Sequence, residues 1–232
     1  MVAGMLQAVI HGKNWGCQEV EDYITSCFFG TMQYLPPHCV GKVLRWIFFR
    51  DDEECADICK VRPECEVHFE FWPKIENEDG SLIEPDLLIY NGGSLLMHVE
   101  VKWSSGESSG GNKHQIVSQR EAIKAKHGKF PSFYLVLDEN KARKELGDCS
   151  LVKDGSIRVI TWPEVGRRLR DWKLPSGASG AKLWREHAVQ YLDELTGLVF
   201  LGFNEGLFDG VSGKPWELQS RSPIFLFRAD RV

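Results

Sequence analysis

Apolar positions along the chain fall into helical and strand-like periods, and the two alternate. Within residues 15–30, Val20, Ile24, Cys27 and Phe28 recur at helical spacing, and Gly30 is a stop signal. Pro36-Pro37 then breaks the chain, and residues 40–49, VGKVLRWIFF, predict a second helix with a broad apolar face. Val67, Phe69 and Phe71 alternate with His68 and Glu70, the period of a strand. Asp86 to Tyr90 and Leu95 to Trp103 are two apolar runs. Asn91-Gly92-Gly93-Ser94 separates them, which predicts a hairpin. Lys113 to His127 reads as an amphipathic helix with a weak stripe of Ile116, Ala122 and Ile123. Phe133 to Leu137 is apolar throughout, as expected of a strand covered on both faces.

A short helix over Asp138 to Leu146 and a strand over Ile157 to Thr161 follow. Trp162-Pro163-Glu164 opens another helix with proline at an early position. Residues 174–180, LPSGASG, read as a linker. Residues 182–200 form a last helix, with Leu183, Ala188, Tyr191, Leu192 and Leu195 on or near its apolar face. The remainder, to Val232, is aromatic and Gly-rich, with Ile224 to Phe227 as a short strand. This order predicts an α/β core with a mixed central β-sheet flanked by helices.

Composition narrows the picture. A hydrophobic share of 43% in 232 residues supports a real core in one domain or one domain with an appendage. Lys plus Arg is 28 and Asp plus Glu is 33, a net charge of −5, which excludes a protein that coats nucleic acid by bulk charge. Any such grip has to come from local clusters. Lys113, Lys124, Lys126 and Lys129 form one, and Arg167, Arg168 and Arg170 form a second. The seven cysteines are an odd number, and the opening MVAGMLQAVIHGK has neither a basic leader nor the length of a membrane anchor. The expectation is a cytoplasmic protein without a membrane partner.

The hairpin carries the chemistry. Side chains alternate along a strand, so His98, Glu100 and Lys102 share one face. Pairing the two runs brings Asp86 beside Glu100. Two neighbouring carboxylates repel, and a divalent cation relieves the repulsion. Hard oxygen ligands suit Mg²⁺ (or Mn²⁺), which keeps several waters and takes the rest of its shell from one or two carboxylates and a phosphate. The carbonyl of Val101 is a further ligand candidate.

Asp86, preceded by Pro85 and followed by Glu100-Val101-Lys102, resembles the PD-(D/E)xK nuclease superfamily. The resemblance spans residues 15–165 and implies a restriction-endonuclease-like core with a C-terminal helical or irregular extension. Residues 1–172 form the nuclease-like domain, and residues 173–232 a C-terminal helix and tail packed on it. It implies that Asp86 and Glu100 hold the metal and that Lys102 serves the attacking water or the charge on phosphorus. It also implies a glutamate from the first helix as a further metal ligand, assigned to Glu21 with Glu19 as rival, and a glutamine from the helix after the lysine strand that reaches the active site, assigned to Gln115. Gln119, four residues on, reads as part of a solvated face. Residues 104–112, SSGESSGGN, are a flap over the site or an inert connection.

The activity so implied is metal-dependent hydrolysis of phosphodiester bonds in DNA, with RNA as the alternative substrate. Relatives of this kind work in restriction, phage defence and DNA repair, often with protein partners or as homodimers. Two rivals stand beside it. One is a catalytically silent nucleic-acid-binding or assembly subunit with the same fold. The other is a metal protein built on Cys55, Cys59, Cys65 and His68, although their spacing matches no standard zinc site.

Overall fold

The computed structural model describes residues 20–49, 66–77, 80–103, 114–174 and 179–198. The chain opens with α1 (Val20–Met32) and α2 (Pro37–Leu44), and α2 runs on as one π-helical turn, Arg45–Phe49. Pro37 begins α2, where a missing N–H costs nothing. Strand β1 (Val67–Phe71) leads to a small hairpin of β2 (Ile75–Glu76) and β3 (Leu82–Ile83). The main hairpin, β4 (Leu87–Asn91) and β5 (Ser94–Val101), turns on Gly92 and Gly93. Their φ values of 57° and 81° meet the needs of a tight two-residue turn.

Helix α3 (Gln115–His127) and strand β6 (Ser132–Val136) follow, then α4 (Glu139–Leu146) and the short α5 (Ser150–Lys153). The Asp138 side chain caps α4 by accepting from the backbone N–H groups of Asn140 and Lys141. Strand β7 (Ile157–Thr161) passes directly into α6 (Trp162–Asp171), where the Thr161 hydroxyl accepts from the Glu164 N–H. Helix α7 (Ser179–Leu198) is the last described element.

The five-stranded sheet has the order β1-β4-β5-β6-β7. Strands β1, β4 and β5 pair antiparallel, and β5, β6 and β7 pair parallel, so the sheet is mixed as expected. Strand periodicity sorts the core. Leu87, Ile89, Val99, Val101, Phe133 and Leu135 face α1, α2, α6 and α7. The opposite face meets the layer of α3, α4 and α5, through Leu88 with Ile123 and through Tyr134 and Val136 with Ile116 and Val117. Helix α7 is not a loose appendage. Ala181, Trp184, Ala188, Leu192 and Leu195 join the first core, and the Trp184 indole N–H donates to Thr31 Oγ1 at 3.0 Å.

Several expectations need amending. Residues 40–49 form a single regular helix only as far as Leu44, and beyond it the π turn seats Trp46 against α6. Each arginine of the second basic cluster pairs with an acid, while Arg167 and Arg170 stay half exposed. Arg168 is held by Glu164 and the Ile47 carbonyl, Arg167 by Glu164, and Arg170 by Asp193. No helix among the described residues is long and apolar enough to cross a membrane. Glu19, residues 104–112, Cys55, Cys59, Cys65 and Ile224 to Phe227 lie outside the described residues. His68 is exposed on β1, with its ring near Tyr90.

Candidate active site

The register of the hairpin builds the site. Leu87 pairs with Val99, so one residue beyond β4 Asp86 lies opposite Glu100. Asp86 Oδ2 accepts the Val101 N–H at 2.7 Å, and the Asp86 N–H points at Glu100 Oε2 at 3.4 Å. The Glu100 carboxyl is thus aimed at the Asp86 backbone, and the Asp86 carboxyl is latched to the Val101 backbone at the end of β5. Lys102 sits one residue past the strand. Its N–H donates to the Leu135 carbonyl at 2.8 Å, which fixes the direction of its side chain. Lys102 Nζ lies 3.3 Å from Glu21 Oε2 and 3.8 Å from Glu100 Oε1.

Glu21 arrives from the first turn of α1, on the other side of the sheet. Its Oε2 accepts from Lys102 Nζ, and its Oε1 accepts the Trp103 N–H at 2.9 Å. The structure therefore brings Glu21, Asp86, Glu100, Val101 and Lys102 together at one end of the sheet. Glu21, expected as a metal ligand, has both oxygens turned to Lys102 and Trp103. Asp22, the next residue of α1, was not singled out by sequence, yet its charge also reaches Asp86.

Both glutamines reach the cleft, Gln115 as expected and Gln119 against expectation. Gln119 is 2% exposed, and its side-chain N–H donates to the Glu84 carbonyl at 3.4 Å. Gln115, at the start of α3, is exposed and lines the same cleft as Asp86 and Gln119. Gln119 is not part of a solvated face, because α3 turns Ile116, Gln119, Arg120 and Ile123 toward the sheet. Arg120 is buried as well. It donates to the Phe130 carbonyl and to Ser132 Oγ, and Ser132 Oγ meets His98 Nδ1 at 3.2 Å. Burial and the Arg120 charge lower the His98 pKa to about 3, so this imidazole is neutral and structural.

Electrostatics explain what the site wants. Burial raises the Asp86 carboxyl to about 7 against the pull of the Val101 N–H and Lys102, with Asp22 and Glu21 adding repulsion. Burial and the neighbouring Asp86 push Glu100 well above the usual carboxylate range. Glu100 is 1% exposed, and its Oε1 has no hydrogen-bond partner among the described residues. Burial alone would lower the Lys102 pKa, but Glu100, Glu21 and Asp86 outweigh it and raise it. One carboxylate at 3.8 Å attracts the ammonium by about 4 kcal/mol at an effective dielectric near 20, before desolvation is counted. The acids around Lys102 therefore favour its charged form.

Among the described residues, no cluster of three or more His, Cys, Asp or Glu side chains is arranged as a metal site. Two carboxylates meet the needs of Mg²⁺ or Mn²⁺, which keep much of their water. The chemistry of the donors fits such an ion, since both are hard oxygens that burial and neighbouring acids destabilise as anions, and the buried Glu100 Oε1 has the Lys102 ammonium only at 3.8 Å. Comparison with protein families, with curated proteins and with solved structures finds no match, so geometry alone carries the functional reading.

Proposed function

We propose that the chain is a metal-dependent nuclease with a restriction-endonuclease-like core, hydrolysing phosphodiester bonds with DNA as the expected substrate. One observation carries this reading. Asp86, Glu100 and Lys102 converge at one end of a mixed sheet, and Glu21 from the first helix holds the lysine. Asp86 and Glu100 would hold Mg²⁺ or Mn²⁺, with the Val101 carbonyl as a further donor. The ion would polarise the phosphoryl group and make the attacking water more acidic.

The residues of the chain have separate tasks. Lys102, kept as ammonium, stabilises the negative charge that grows on the phosphoryl oxygens. Glu21 keeps Lys102 aimed and is a positioning residue. The Val101 N–H holds Asp86 in a single orientation, so its second oxygen is presented without reorganisation. Gln115 lines the cleft at the substrate side.

The test is cleavage of single- and double-stranded DNA and RNA with Mg²⁺, with Mn²⁺ and with EDTA. Metal-dependent cleavage of at least one substrate is expected, abolished by EDTA. Equal rates with and without metal would reject the reading. No cleavage of any substrate, alone or with candidate partner proteins, would favour the silent binding subunit.

A further inference from the structure

The cleft beside Asp86 is larger than two carboxylates and a phosphate require. It encloses about 410 Å³, within the range of small-molecule pockets. One wall is apolar and made by Trp72, Leu82 and Ile83. The other is polar and made by Gln115, Ser118 and Gln119 of α3. Among the described residues no lysine or arginine lines it, and Glu84 and Asp86 make it acidic, so these residues do not track a phosphate backbone.

The apolar wall is tied to the catalytic end of the sheet. Trp72 adopts φ 47°, a left-handed conformation unusual for a tryptophan, and its N–H donates to the Asp86 carbonyl at 3.1 Å. The polar wall is fixed as well, because Gln119 is buried and held by the Glu84 carbonyl. A group held between these walls therefore stands next to whatever Asp86 binds. That group needs a flat apolar face, hydrogen-bonding edges and a phosphate attached nearby.

We infer that this cleft receives the base of an unpaired nucleotide flanking the scissile phosphate. The inference rests on the nuclease reading and narrows its substrate to single-stranded, frayed or flipped nucleic acid. A base in a duplex is stacked on both faces and engaged at its edge, so it enters such a cleft only by leaving the helix. Packing on Leu82, Ile83 and the small exposed part of Trp72 supplies sequence-tolerant affinity, and the exposed Gln115 amide supplies edge contacts.

Steady-state cleavage by the full chain with Mn²⁺ tests it. The substrates are a single strand, its blunt duplex and the same strand with abasic positions, each as DNA and as RNA, beside bis(4-nitrophenyl) phosphate as a diester without a base. We expect KM for the duplex and the abasic strand to be at least about tenfold above that of the intact strand, the size of one lost base contact. Leu82→Ser and Gln115→Ala, both at exposed positions, should raise KM on the single strand by about five- to tenfold, with kcat changed less. Leu183→Ser, an exposed position on α7 outside the cleft, should leave both constants unchanged. DNA and RNA arms that differ identify the natural strand. If duplex, abasic and intact strands are cut with the same constants, the base cleft is wrong while the nuclease survives. If none of the substrates is cut, bis(4-nitrophenyl) phosphate included, the nuclease reading fails and this inference falls with it.

Discussion

Asp86 and Glu100 face each other across the end of a hairpin, where burial favours both protonated forms, helped by Asp22 and Glu21 at Asp86 and by Asp86 at Glu100. This has a thermodynamic consequence. Asp86 has an ordinary value of 3.8 and a folded value of about 7, so between those limits the folded state binds more protons than the unfolded state. The metal-free protein should therefore lose stability as pH rises from about 4 to about 7. Asp86→Asn keeps an oxygen for the Val101 N–H and removes the titration. In EDTA, the Tm of this variant should fall less over that range than the parent's, and at pH 8 it should lie above the parent's. Divalent affinity of the parent should rise through the same window, because protons compete for the same oxygens. A parent Tm that climbs steadily from pH 4 to 7 in EDTA would contradict this account of the carboxylates.

These residues were legible in the sequence because a strand's period of two and a Gly-Gly turn fix which side chains meet. Gln119 was not. The apolar stripe of α3 is interrupted by two polar residues that are themselves buried, Gln119 and Arg120, so the pattern does not show which face turns inward. The partners that bury them, Glu84, Phe130 and Ser132, all lie outside the helix, on both sides of it in the chain.

At the scale of elements, the site depends on α1 being held at the end of β5. Three aromatic rings fix it. Phe28 meets Trp162 of α6 at 5.4 Å and Trp184 of α7 at 5.5 Å, in edge-on contacts. Trp184→Ala should cost about 3–5 kcal/mol of stability, the usual loss for a buried large aromatic. It should also weaken activity more than the stability loss explains, since α1 carries Glu21. Unfolding in denaturant, with activity measured well below the transition, checks both. The sequence showed the helices but not this dependence, which arises from packing between residues far apart in the chain. Nor did it show the π turn at Arg45–Phe49, whose place is set by contacts with α6.

The role of α1 has a sharper test. Glu21→Gln retains an oxygen for the Trp103 N–H and removes the negative charge beside Lys102. A positioning residue predicts a fall in kcat of about tenfold with Mg²⁺ affinity nearly unchanged. A direct ligand predicts a large loss of Mg²⁺ affinity. Calorimetric titration with Mg²⁺, beside kcat at saturating metal, separates the two outcomes.

For the whole molecule, the alternation of helix and strand periods was enough to foresee a mixed sheet between helical layers. The antiparallel hairpin and the parallel β5-β6-β7 ladder follow from a Gly-Gly turn on one side and a helical crossover on the other. The central proposal is that the charged lysine beside Asp86 and Glu100 serves metal-dependent hydrolysis of a phosphodiester. Lys102→Ala tests it most directly. Lys102 is 19% exposed at the end of the sheet, so the fold should tolerate the change. The measurement is single-turnover cleavage at saturating Mn²⁺, with Mn²⁺ and nucleic-acid binding measured on the same samples. The account predicts that both ligands still bind while the cleavage rate falls by about 10²- to 10³-fold, the range for removing a group that acts on transition-state charge. Cleavage by Lys102→Ala at the parental rate would contradict it.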